Sequence, residues 1–148
     1  MNVVVVDTSV VIKWVLFEPD SPKAQALLFD WTGNGIEILA PHLLAYEAAN
    51  SLYRKARKGE ITLDRARQAL SKLLNSDIEF DPFFDTSLNL RALELASSYD
   101  LPATYDAHFL ALAERKGCEL WTADTRLWNS IRGKLAWVRW LDDYIPSR

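Results

Sequence analysis

The chain has a single cysteine, Cys118, which excludes an internal disulfide and any thiolate-rich metal site. Histidine is nearly as scarce: there are only His42 and His108, and neither has a second histidine at ligand spacing. Both are read as structural, and Cys118 as a small buried hydrophobe. No apolar run approaches the roughly 20 residues that span a bilayer. The opening MNVVVVDTS lacks the basic start and long apolar core of a secretory signal. A soluble, cytoplasmic protein without a membrane partner is expected. A large excess of positive charge is missing too, since the formal net charge is −3. That argues against a polyanionic partner only until the acids are apportioned. If four of them form one cluster neutralised by metal, sixteen acids face seventeen bases elsewhere. A local basic rim is then affordable.

What is present is an ordinary globular balance. Of the 148 residues, 49% are hydrophobic and 25% charged, enough for one core, so residues 1–148 are read as a single domain. Asn2–Val6 is a valine run without polar alternation, as in a strand covered on both faces of a parallel sheet. It ends at Asp7-Thr8-Ser9, where a helix through about Trp14 can be capped. Ser21-Pro22 opens a second helix, serine as cap and proline in the first turn, stopping near Gly33-Asn34-Gly35. Ile36–Ala40 reads as a strand ended by Pro41. His42–Lys58 is a long helical pattern closed by Gly59. Thr62 starts another helix with Leu63, Ala66, Leu70, Leu73 and Leu74 along one stripe, making a helical hairpin. A short strand at Ile78–Phe80 and a helix over about Asp85–Tyr99 follow, then Pro102 interrupts. The rest reads as a helix from Tyr105 to Lys116 closed by Gly117, a strand Glu119–Thr122, a helix Thr125–Ile131 and a strand Ala136–Trp140. Strands alternating with helices predict an α/β fold, a parallel sheet sandwiched between helical layers.

In open parallel sheets, functional groups collect beyond the carboxyl ends of strands. Asp7 lies just past the first strand and Asp124 just past Leu120-Trp121-Thr122, while Asp106 opens the helix before that strand. Glu47 is a lone charge in the apolar stretch Leu43–Ala49, with Asn50 one turn on along the same face. Singly, each acid has an ordinary explanation as a helix cap, a first-turn acid or a solvated side chain. Jointly they offer four carboxylates where this fold places its crevice. Converging carboxylates repel and are costly to desolvate unless a cation compensates them. Oxygen-only ligands favour Mg²⁺ or Mn²⁺, which can lower the pKa of a bound water for in-line attack on a phosphodiester. Whether one or two ions bind stays open at this point.

The blocks VVVVDTSVVIKW, AYEAANSLY, LPATYDAHFLALA and LWTAD occur in the order and at the spacing of PIN-domain proteins. Within that family the chain most resembles the VapC-type toxin nucleases of bacterial and archaeal toxin–antitoxin pairs, over nearly its whole length. The resemblance implies a three-layer α/β/α sandwich with a five-stranded parallel sheet in the order 3-2-1-4-5. It also implies Mg²⁺- or Mn²⁺-dependent endoribonuclease activity, with the family's catalytic and metal-binding acids falling on Asp7, Glu47, Asp106 and Asp124. The family's hydroxyl after the first Asp falls on Thr8 or Ser9, and that before the last on Thr122. It further implies a homodimer and a small antitoxin whose tail wraps the helical hairpin and blocks the cleft. One departure stands out: where many relatives carry a further acid after the last Asp, this chain has Thr125-Arg126-Leu127. That leaves the first ion supported and a second one not.

Lys13, Arg54, Arg115, Lys116, Arg126 and Lys134 are candidates for a phosphate-guiding rim, with Lys13 and Arg126 favoured for closely following an acid of the site. Trp14, Tyr105 and Trp128 are candidates to stack RNA bases, and Trp121 reads as core. Trp137, Trp140 and Tyr144 are assigned to packing of the last strand or a dimer contact. Haloacid-dehalogenase phosphatases need an acid where this chain has Ser9, and receiver domains need an acidic pair that is absent. The alternatives that keep the fold are an idle PIN-like module that only binds partners, and a PIN nuclease for RNA maturation.

Overall fold

The computed structural model describes residues 2–82 and 86–146. Five strands, β1 (Val3–Val6), β2 (Glu37–Ala40), β3 (Ile78–Phe80), β4 (Glu119–Thr122) and β5 (Val138–Trp140), form one sheet in the order β3-β2-β1-β4-β5. Every pairing is parallel, as the unbroken apolar strands require. The central strand β1 sets Val5 opposite Leu39 on one side and Leu120 on the other. Val4, Val5 and Val6 are all buried, so both faces of the sheet are covered.

The helices are α1 (Thr8–Val15), α2 (Ser21–Gly33), α3 (Leu43–Arg57), α4 (Leu63–Leu74), α5 (Thr86–Ser98), α6 (Tyr105–Lys116) and α7 (Thr125–Ile131). Right-handed crossovers put those running β1 to β2 to β3 on one face, and those running back through β4 to β5 on the other. The packing agrees: α1 lies on α2, α3 and α4, while α6 lies on α5, β1 and β4. Because β1 hands the chain to β2 while its other neighbour is β4, the strand order reverses between β1 and β4. That is the place where such sheets open a crevice at their carboxyl edge. The Asp7 amide still bonds the Trp121 carbonyl at 3.2 Å, so the chain turns into α1 only after this last rung. Among the described residues no helix is long and apolar enough to cross a membrane.

Four local readings differ. The cap position of α2 is Asp20, which makes no side-chain cap bond, and Ser21 sits inside the helix. Its buried hydroxyl instead donates to Leu16 O at 3.0 Å and accepts from the Glu18 amide at 2.8 Å. The buried face of α4 is Ala66, Ala69 and Leu73, whereas Leu63 and Leu74 are 64% and 43% exposed. Small alanines let α4 approach α3 and α1, which turns the leucines at its ends outward. β2 and β5 start at Glu37 and Val138, one and two residues later than the sequence pattern suggests. Cys118 is half-buried, not enclosed. The predicted start of α5 at Asp85 lies outside the described residues.

Candidate active site

Asp7 does two jobs at once. It is the N-cap of α1, accepting the Ser9 amide at 3.1 Å, and it is 4% exposed at the bottom of a cleft. The Ser9 hydroxyl donates to the same oxygen, and the Thr122 hydroxyl at the end of β4 donates to the other. Ser9 Oγ in turn accepts the Ala123 amide at 2.8 Å, and Thr122 Oγ1 accepts the Asp124 amide at 3.0 Å. The two hydroxyls therefore lock the ends of β1 and β4 to one another through a shared carboxylate. Asp124 is likewise a cap: its Oδ1 accepts from the amides of Arg126 at 2.9 Å and Leu127 at 3.2 Å. Its other oxygen accepts no hydrogen bond among the described residues. Glu47 receives Thr8 Oγ1 at 2.8 Å across the cleft. Asp106 opens α6 with no hydrogen bond to either oxygen among the described residues.

These four acids, with Thr8, Ser9 and Asn50, line one cavity of about 570 Å³. Their ionisation records their company. The Asp7 carboxyl is pushed up to about 7, chiefly by burial. The Ser9 and Thr122 hydroxyls oppose that rise, and the charges of Asp106 and Asp124 add to it. Burial also raises Glu47, against the Thr8 hydrogen bond and with the charges of Asp106 and Asp124, and raises Asp106, with Asp124 adding. The acids are near enough to destabilise one another's charge. Still, among the described residues no three Asp, Glu, His or Cys side chains are gathered tightly enough to hold an ion as they stand. The donor set is carboxylate oxygen alone, under-compensated and facing a shared cavity, which suits a hard divalent cation.

The supporting candidates separate. Trp14 is 8% exposed, donates Nε1–H to Ala24 O at 2.9 Å and meets Trp31 edge-on, so it is core and cannot stack a base. Lys13 lines the cavity but is tied to Glu18 at 2.6 Å and Asp20 at 2.9 Å. Arg126 is exposed beside the Asp124 cap and is not part of the cavity wall. Arg115 and Lys116 end α6, twelve residues long, of which Asp106 is at the start. At ~1.5 Å per residue they sit near the sheet's opposite edge, and Lys134, before β5, also precedes a strand. Trp128 stacks on Trp140 at 5.6 Å, and Tyr105 is exposed in a separate groove with Pro41, Tyr46 and His108. His108 bonds Thr104 O at 2.7 Å and Asn89 Oδ1 at 2.8 Å, and His42 stacks on Phe80. The cations that do reach the cavity are Arg54, Lys55 and Lys58 together with Lys13. Lys55 and Lys58 stand outside the rim expected from the sequence, yet both fall on the helical stripe that begins at Glu47 and passes through Asn50.

The model of the PIN domain family matches residues 4–133, and the chain belongs to the PIN-domain family. Two relatives from Pyrobaculum aerophilum resemble it. Exonuclease VapC9 is 31% identical over 106 residues, covering 71% of this chain and 75% of that protein. Ribonuclease VapC3 is 30% identical over 125 residues, covering 83% and 90%. Among solved structures, PAE2754 from the same organism superposes with a TM-score of 0.65 at 26% identity, over 95% of this chain and 92% of that one. A toxin–antitoxin complex from Klebsiella pneumoniae shares the fold, with a TM-score of 0.63 at 21% identity over 98% of each chain.

Proposed function

We propose that this chain is a Mg²⁺- or Mn²⁺-dependent endoribonuclease and serves as the toxin of a toxin–antitoxin pair. The observation that carries the reading is that Asp7, Glu47, Asp106 and Asp124, from different elements, wall a single cleft at the carboxyl edge of the sheet. The relatives named as a ribonuclease and an exonuclease support nucleic-acid hydrolysis. Asp7, Asp106, Asp124 and Glu47 would hold the ion. When bound, it supplies a water of lowered pKa and stabilises charge on the phosphodiester oxygens.

The chain's own contribution is positioning. Ser9 and Thr122 fix both oxygens of Asp7 and favour its ionised form against the cost of burial. The cap of α7 holds Asp124 by one oxygen and leaves the other for a ligand. Glu47 is held by Thr8 through one oxygen, which fixes it in the cavity wall that it shares with Asp106 and Asp124. Hydrolysis adds hydroxide from water to phosphorus as the bond from phosphorus to the ribose oxygen breaks, and the proton that the water gives up passes through solvent to that departing oxygen. Asn50, one turn from Glu47, offers an uncharged hydrogen-bond donor to the substrate backbone.

The partner we infer is a small antitoxin docking on the α3–α4 hairpin, where Tyr53 and Leu63 are 55% and 64% exposed. A homodimer is the inferred assembly; Leu90 and Leu93, exposed one turn apart on α5, are its candidate contact. The test is incubation of purified protein with a covalently circular RNA and Mn²⁺. Linear product from wild type and none from Asp7→Asn supports endonucleolytic cutting at this centre. An intact circle with degraded linear RNA points to an exonuclease instead. No cleavage of either would leave a binding module.

A further inference from the structure

The cleft is not acidic throughout. From Glu47 onward, one stripe of α3 continues through Asn50 and Ser51 to Arg54 and Lys55, and on to Lys58 just past the helix end, and all of them line the same cavity as the acids. Positions spaced three and four apart share a helical face, so the cavity wall passes from carboxylate through neutral amide and hydroxyl to cation. The cations are not equivalent. Lys13 is neutralised by Glu18 and Asp20, and Lys55 lies 3.9 Å from Glu18 and 3.8 Å from Glu60. Arg54 and Lys58 are exposed and make no ion pair or side-chain hydrogen bond among the described residues.

We propose that Arg54 and Lys58 form a phosphate track that holds the single-stranded RNA leaving the reaction centre, so that the substrate runs along α3 towards its C-terminal end. Each turn of α3 advances ~5.4 Å, of the order of one nucleotide step in an extended strand. Arg54 stands about two turns and Lys58 about three turns beyond Glu47, placing them against phosphates about two and three steps from the scissile one. A ligand with a negative charge at every step and one phosphodiester delivered to the acids matches the whole wall. An acidic peptide segment would match only the basic end and be repelled by the carboxylates. Arg54 offers a planar fork to phosphate, whereas Lys58 offers a point charge.

The inference rests on the nuclease reading, and its test separates the two. Binding of a labelled single-stranded 12-mer RNA is measured by fluorescence anisotropy in EDTA across a salt series, with Asp7→Asn as parent so that cutting is off. Each lost phosphate contact lowers the slope of log affinity against log salt by about 0.7. Adding Arg54→Ala and Lys58→Ala is expected to lower it by about 1.4. Lys116→Ala with Lys134→Ala, at the opposite sheet edge, leaves it unchanged, and Arg54→Lys retains most of it. In the catalytically intact protein the double variant raises KM for long RNA, and the rise shrinks as the RNA is shortened towards the reaction centre. An unchanged slope, or no RNA binding by the parent at low salt, overturns the track even where wild type cleaves RNA. In that case an acidic protein segment becomes the ligand of this patch. A wild type that never cleaves RNA, with the slope change intact, overturns the nuclease reading and leaves the track standing.

Discussion

Folded without a divalent ion, the protein has to keep Asp7 buried beside two other acids, and the cost depends on pH in a calculable way. The Asp7 carboxyl moves from 3.8 to about 7 on folding, mainly through burial, and the side chain is 4% exposed. Below pH ~4 it is protonated in both folded and unfolded chains, and its contribution to stability is fully present. Between ~4 and ~7 the folded protein holds a proton that the unfolded chain has released, so stability falls as pH rises. Above ~7 both states are ionised and the loss is complete. At about 1.4 kcal/mol per pH unit the window is worth up to about 4 kcal/mol, a large share of the 5–15 kcal/mol typical of a domain. Glu47 and Asp106, also raised, push in the same direction. Asp7→Asn is neutral at every pH and lacks the Asp7 share of this slope. Guanidinium unfolding in EDTA, followed by tryptophan fluorescence at intervals from pH 4 to pH 8, gives both curves. The variant's stability relative to wild type is expected to rise across that range by up to about 4 kcal/mol. Parallel curves would show that Asp7 carries no such burden, and the buried acidic centre would be refuted.

At pH 8, saturating Mn²⁺ should relieve the same repulsion. About 100-fold excess over Kd adds about 2.7 kcal/mol, a Tm rise of roughly 5–10 °C for a chain of this size; Asp7→Asn should lose most of it, and melting curves unmoved by Mn²⁺ would count against a shared site. Trp14→Ala should cost roughly 3–5 kcal/mol in denaturant unfolding, because Trp14 packs against Trp31 and bonds Ala24. Unchanged stability with weakened RNA binding would return Trp14 to the substrate. Thr122→Val keeps the volume but removes the hydroxyl that donates to Asp7, so the acid limb of the pH–rate profile should move to higher pH, while Thr122→Ser restores it. An identical profile in the valine variant would show that the hydroxyl does not tune Asp7.

The acids were legible because their positions in the chain are also positions in the fold. A strand's last residue must lie at the sheet's carboxyl edge, and Asp7 and Asp124 each follow a strand whose apolar run is unmistakable. Their reading as caps is borne out. Both cap helices with amides satisfied by one oxygen and both line the cleft, so capping does not compete with a place in the site. The strand order came from likeness to a family and not from periodicity, since alternation of strands and helices does not rank neighbours.

Nearness along the chain does not settle what a side chain does in space. Trp14 follows Asp7 by two turns, but the buried residues of α1 are Val10, Val11, Ile12, Trp14 and Val15, leaving no apolar face to present to substrate. Lys13 is close to the acids and neutralised by Glu18 and Asp20, whose loop had no predictable course. Arg115 and Lys116 could have been excluded beforehand, since a helix that starts at the carboxyl edge with Asp106 delivers its C-terminus to the other edge. Conversely, the Glu47–Asn50 stripe reaches Lys58 two turns further on, so this cation is legible in the helical period.

Calorimetric titration of the metal-free protein with Mn²⁺ at pH 8 tests the central claim most directly. Saturable binding in wild type, lost in both Asp7→Asn and Asp106→Asn although they come from different elements, is the predicted result. Binding that survives both substitutions, or no binding to wild type, would contradict it.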